Sequence, residues 1–275
     1  MLQVNPGLPT GARGDHQTDR QKLTSESITG GRWSRRFGQA AGNLRAKHYH
    51  RTMITVHHLE NSRSQRVLWL LEELNVPYKV QRYERDRSTM LAPPELKRIH
   101  PLGKSPVITD GPTTVAETGA IVEYLLDQSG PSSLRPAAGT PEFLRYRYWL
   151  HFAEGSAMPP LLMKLVFDRI AAAPMPFFVK PVAKAIVKQV MTGFITPNLT
   201  SQLDFMEAEL AGRDWFVGPD FSAADVMMSF PLEAAAQRAG LGAGHPRLQA
   251  LLQRMHARAP YRRALEKGGP YSFAD

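Results

Sequence analysis

The sequence predicts an α/β domain built on a four-stranded mixed sheet, followed by an all-α domain. Three observations lead there. Strand and helix patterns run β-α-β-α-β-β-α from Met53 to Gln128, a Pro-, Gly- and Ser-rich stretch follows, and the chain beyond it repeats with a helical period. The expected divisions are a disordered basic extension over 1–52, the α/β domain over 53–128, a linker over 129–140 and the helical domain over 141–275.

Each element has its own signal. "MITVHHL" from Met53 is β-branched and short, a strand. In "SRSQRVLWLLEELN", Val67, Leu68, Leu70, Leu71 and Leu74 make a wide apolar helical face. Ser62 with Gln65 has capping-box spacing, so the helix is expected to open at Ser62 and to close at Asn75 and Pro77. Tyr78 to Glu84 alternates as a second strand, and "PPELKRIHPLG" reads as a short helix and loop. "PVIT" and "TTVAE" are strands joined by the Asp110-Gly111-Pro112 turn, hence an antiparallel pair, whereas the opening strand–helix–strand implies a parallel crossover. Thr118 to Gln128 is the third helix. Beyond the linker, helices are expected in "EFLRYRYWLHFAEGSAMPPLLM", over Lys180–Glu209, Ala223–Ala239 and Pro246–Ala257. Ser222 and Asp225 repeat the capping-box spacing and are assigned to helix nucleation.

Composition narrows the function. No apolar run approaches the ~18 residues a membrane span needs, and 275 residues with 21% charged content describe a soluble chain. With no cysteine there is no disulfide framework, no thiolate nucleophile and no thiolate-held metal. The net charge of +9 is concentrated at the start: residues 1–52 hold nine Lys or Arg against three Asp or Glu. The remaining body, at +3, gives no nucleic-acid footprint. The extension reads as added sequence ahead of a start at Met53, with an organelle transit peptide as the other reading; His48 and His50 within it lack carboxylate partners for a metal.

Three junctions can carry chemistry. Ser105-Pro106 opens a strand, where proline is tolerated because it cannot donate to the ladder, or where a cis bond turns the preceding backbone outward toward a ligand. Glu117 and Thr118 stand where a helix begins. They suit capping, or they suit a ligand with an amino-acid head, its carboxylate on the helix N–H groups and Thr118 hydroxyl and its ammonium on Glu117. Ser62 is an N-cap or a hydroxyl beside a thiolate. A helix mouth can bring a thiol pKa from about 8.5 into the 3.5–7.5 range, and two units correspond to about 2.7 kcal/mol. A cysteine-free chain must take that thiol from its ligand.

"SRSQRVLWLLEELNVPY", "HPLGKSPVI", "AETGAIVEYLL", "FSAADVMMSFPLE" and "APYRRALEKGG" resemble the cytosolic glutathione S-transferases, especially bacterial and fungal serine-type members, over Met53 to Gly269. The resemblance implies a thioredoxin-like N-terminal domain, a cytoplasmic homodimer, glutathione as co-substrate with no further cofactor or metal, and transfer of its sulfur to small apolar electrophiles. It implies a cis bond at Ser105-Pro106, cysteinyl pairing by the Ser105 backbone, Glu117 and Thr118 on the γ-glutamyl end, and Lys104 near the glycine carboxylate. Ser62 would stabilise the thiolate, with Asn61 and then Ser64 as alternatives in the same turn. Thr118 stands where many members have serine. Trp149, Phe152 and Met158, with Leu161, are candidates for the electrophile wall, with helical-core packing as the other reading, and His151 reads as a packed or surface histidine. The partners expected are glutathione and an electrophile, with neither nucleic acid nor membrane. The competing functions are a non-catalytic or glutathione-binding module of the same fold, and a glutathione-dependent peroxidase or isomerase.

Overall fold

In the computed structural model, which describes residues 53–274, strand β1 (Ile54–Leu59) lies inside a four-stranded sheet ordered β2-β1-β3-β4. Its apolar side chains are buried, as an interior strand requires, while β2 (Tyr78–Tyr83) mixes half-buried and exposed residues, as an edge does. β1 pairs parallel with β2, Ile54 opposite Tyr78, across helix α1 (Gln65–Glu73). After the short α2 (Leu96–Ile99), β3 (Val107–Asp110) runs antiparallel to β1, and β4 (Thr113–Ala116) antiparallel to β3. α3 (Thr118–Ser129) then leaves the sheet.

The helical part begins at α4 (Pro141–Phe152), where the Thr140 hydroxyl accepts the Phe143 N–H at 3.1 Å and Pro141 fills the first turn. A π-helical turn, Ala153–Ala157, joins it to α5 (Met158–Ala172). α6 (Lys180–Val190), a second π turn at Met191–Ile195 and α7 (Thr196–Glu209) replace the single helix expected over Lys180–Glu209. α8 (Ala223–Arg238), α9 (Pro246–Ala257) and α10 (Ala259–Gly268) complete it. Sheet and helices form one compact unit. The extension with His48 and His50 lies outside the described residues.

Two sequence expectations about caps divide here. Asp225 of α8 is wholly buried and accepts from the Ser222 N–H and hydroxyl and the Phe216 N–H, each at 2.9 Å, so that box forms. The Ser62–Gln65 box does not. α1 opens at Gln65, and the Ser62 hydroxyl donates instead to the Leu59 carbonyl at 2.7 Å and meets the Ser64 hydroxyl at 2.7 Å. Burial decides it: Ser62 and Ser64 point into the core, where their hydroxyls must satisfy the end of β1 rather than the helix. Gln65 is packed so close to α10 that a Cβ on Gly268 would lie 2.7 Å from its Oε1.

α1 is buried nearly all round, and ions fasten it to α10. Glu72 accepts from Arg263 at 2.7 Å, Lys267 at 2.5 Å and the Tyr78 hydroxyl at 2.8 Å. Glu73 takes the Arg258 fork at 2.6 and 2.8 Å. The helix that carries the β1–α1 turn is thereby held from both halves.

Candidate active site

The site forms where three chain turns meet: the β1–α1 turn, the mouth of β3 and the start of α3. At the β3 mouth the Ser105-Pro106 bond is cis. The Ser105 hydroxyl donates to the His57 carbonyl at 2.7 Å and accepts the Leu59 N–H at 3.1 Å, tying this mouth to the end of β1. Regular pairing of β3 starts at Val107, so the Ser105 main chain stands outside the ladder. Lys104 is exposed beside it.

At α3, Glu117 adopts φ 69° and ψ 122° with its side chain exposed and no cap hydrogen bond. A non-glycine residue there is strained, and such strain persists where surroundings over-determine it. Capping does not explain the acid. Nor does it explain Thr118, which is buried and accepts from Arg66 Nη2 at 3.3 Å. Arg66 is 1% exposed and reaches three further acceptors: the Met227 carbonyl at 2.8 Å, the Glu154 carboxylate, and the Arg63 carbonyl at 3.4 Å. Burial lowers the Arg66 pKa, against the opposing charge of Glu154. Glu154 sits in the π turn between α4 and α5 and also accepts Arg63 Nε at 3.0 Å. Its pKa falls below the usual range because the two arginines outweigh burial.

Two cavities flank this network. One, of about 660 Å³, is lined by Glu117, Gly119, Arg147, His151, Glu154 and Met227 among others. The other, of about 460 Å³, lies against the β1–α1 turn, with Asn61 and Arg63 on one side and Met158, Leu161, Phe230 and Phe273 on the other. Arg63 and Glu154 stand between the two. Asn61, at φ 48°, accepts the Ser272 N–H at 2.8 Å and hydroxyl at 2.9 Å on its Oδ1. Its Nδ2 has no partner among the described residues and is a spare donor at the cavity wall. The smaller cavity is also basic: Arg63, Arg85, Arg169 and Arg238 line it, with Glu60 as the one acid of its lining. Burial lowers the pKa of Arg85 against Glu60, and the charges of Arg169 and Arg63 lower it further; Arg238 is lowered by burial and by Arg169.

Of the predicted residues, Asn61 and Met158 line the smaller cavity and Glu117 the larger, while Thr118 sits behind Glu117 and Lys104, Ser105 and Pro106 line neither. The structure places Ser62 and Ser64 behind the cavities: Ser62 is 5% exposed, and Ser64 is buried with its hydroxyl 2.8 Å from His58 Nδ1. Trp149 and Phe152 line neither cavity. Trp149 is wholly buried, 4.3 Å from the Phe216 ring, 5.1 Å from Phe152 and 5.7 Å from Phe205. Both pack in the helical core, Phe152 also lying 5.8 Å from the Phe205 ring. Sequence reasoning missed Arg66, Arg63 and Glu154. The signal was present in Arg66, a charged side chain directly before the apolar run of α1, with Arg63 in the turn ahead of it. Among the described residues no group of three or more His, Asp or Glu could hold a metal.

A mixed four-stranded sheet with a cis Ser-Pro bond at its third strand, joined to a helical domain, defines a thioredoxin-like, glutathione transferase fold. Residues 51–127 match the family model for the glutathione S-transferase N-terminal domain, and 195–259 that for the C-terminal domain. Glutathione S-transferase 3 of Schizosaccharomyces pombe is 38% identical over 66% of this chain and 74% of its own. Glutathione S-transferase 1 of Saccharomyces cerevisiae is 34% identical over 68% of this chain and 82% of its own. A crystal structure of a glutathione S-transferase from Actinobacillus pleuropneumoniae superposes with a TM-score of 0.65 at 32% identity, over 81% of this chain and 96% of that one. The chain belongs to the glutathione S-transferase family, an enzyme of the transferase class.

Proposed function

We propose that the chain conjugates glutathione to a small apolar electrophile bearing a negative group. The observation that carries this is Glu117: an exposed carboxylate on a left-handed, strained backbone, next to a Thr118 hydroxyl held by a fully buried arginine. In this reading Glu117 pairs with the γ-glutamyl ammonium while Thr118, its lone pair already engaged by Arg66, donates its own hydrogen to the γ-glutamyl carboxylate. The Ser105 main chain pairs with the cysteinyl unit, and Lys104 faces the glycine carboxylate.

The sulfur then lies near the β1–α1 turn. The thiol proton leaves to water, Asn61 Nδ2 donates to the thiolate, and a sulfur lone pair forms the carbon–sulfur bond as the leaving group departs with its electron pair. Ser62 supports the turn through the Leu59 carbonyl and Ser64. The cavity behind Asn61 takes the electrophile, its apolar body on Met158, Leu161 and Phe230 and its anionic group among the arginines. A homodimer in the cytoplasm is part of the proposal and follows from family membership alone.

The test is turnover of a chloronitroarene with glutathione. Asn61→Ala is expected to lower kcat by about 10- to 100-fold, the range for a hydrogen bond to a charged group, with little change in KM for glutathione. Ser62→Ala is expected to cost less. The opposite order of the two variants would move the thiolate contact to Ser62.

A further inference from the structure

The turn between α5 and α6 lines neither cavity, and together with the outer faces of the two helices it holds more than half of the large apolar side chains exposed among the described residues. Phe177 and Phe178, in its turn, are 87% and 67% exposed, and their rings meet edge to face at 5.6 Å. Val182 and Ile186, four apart on α6, are 60% and 55% exposed, and Val166 and Ile170 repeat that spacing on α5 at 46% and 42%. Contiguous apolar surface of this kind marks an interaction site.

Charge says what it meets. From Arg169 to Leu203 the chain has no Asp or Glu, but carries Arg169, Lys180, Lys184 and Lys188. The three lysines are exposed, form one row by their spacing of four, and have no ion pair among the described residues. They lie two positions from Val182 and Ile186, which is about 200° around a helix. α6 therefore has an exposed apolar side and a cationic side. A second copy of the same segment would bring the same lysines and no acid to pair with them, since a two-fold interface repeats one patch on both subunits. An acidic, apolar-backed surface fits both features.

We propose that the α5–α6 hairpin docks on the surface of an anionic lipid bilayer. Phe177 and Phe178 enter the boundary between headgroups and acyl chains, and Lys180, Lys184 and Lys188 are drawn by the acidic headgroups. The attachment is peripheral, because no helix among the described residues is long and apolar enough to cross a membrane. It revises the sequence-based expectation of no membrane partner.

The test uses the full chain, so that the basic extension is present in every arm. Wild-type protein is expected to co-sediment with phosphatidylcholine vesicles containing phosphatidylserine, less so with pure phosphatidylcholine, and to be released by salt. Phe177→Ser with Phe178→Ser is expected to cut the bound fraction at least about tenfold while leaving solution turnover with glutathione unchanged. In a Phe178→Trp variant, emission should shift to the blue on vesicles. Equal vesicle binding by the double serine variant overturns the proposal, assigning any binding to the extension. So does a wild-type dimer that ignores vesicles and falls apart when both phenylalanines become serine, which would make the hairpin a subunit contact.

Discussion

Arg66 is a structural residue on which the proposed glutathione site also depends. It holds Thr118, Glu154 and the Met227 carbonyl from a site with 1% exposure. Arg66→Met is expected to destabilise the fold by about 3 kcal/mol, because it leaves the Met227 carbonyl unpaired and Glu154 with Arg63 as its one remaining cation. The figure sits at the low end because Glu154 is 35% exposed and can turn to water. Denaturant midpoints measure it. Surviving protein should also bind glutathione more weakly, since nothing then fixes the Thr118 rotamer.

At the scale of elements, the proposed function assigns the electrophile's charge preference to α5 and α8, which carry Arg169 and Arg238. Arg169→Ala or Arg238→Ala is expected to raise KM about two- to fivefold for a carboxylated electrophile, the modest value of a charge still open to solvent, and to leave a neutral one unchanged. Equal effects on both would assign the arginines to packing.

The order of these elements was legible in the sequence because each rests on local pattern: β-branched runs, the Asp-Gly-Pro turn, and apolar residues three and four apart. Glu117 and Thr118 were legible as a helix mouth. The start of α1 was not, because the Ser62–Gln65 spacing suits a cap whenever the serine faces water, and here it faces the core. Nor were the Glu72 and Glu73 ion pairs or the four-arginine cavity, whose members lie far apart in sequence and meet only through packing. The wall residues Trp149 and Phe152 had a spacing compatible with either core or pocket, and periodicity alone does not choose.

Across the whole molecule, two buried groups tune stability in opposite senses. Burial, aided by the charge of Arg82, pulls the His58 pKa down to about 4. Between that value and 6.5 the unfolded chain binds the extra proton, so His58 favours folding above pH 6.5 and that advantage is lost as pH falls. Burial pushes Asp225 up to about 6 despite three hydrogen bonds. Between 3.8 and 6 the folded chain holds the extra proton, so this contribution is lost as pH rises. The two slopes oppose each other between pH 4 and 6. Asp225→Asn is expected to leave stability rising with pH across that window, by up to about 3 kcal/mol from His58 alone. His58→Gln is expected to leave it falling. Unfolding free energies at several pH values read both slopes, and parallel curves for the two variants would contradict the assignment.

The proposed function requires an acidic clamp at the start of α3, Glu117 beside Thr118, for the amino-acid head of glutathione. Calorimetry comparing glutathione with an analogue lacking the α-amino group tests it most directly. The wild-type chain should bind glutathione at least about tenfold more tightly than the analogue, the worth of a charged hydrogen bond, and Glu117→Gln should erase that preference. Equal affinity of the wild-type chain for the two ligands, or a preference that survives in Glu117→Gln, would contradict it.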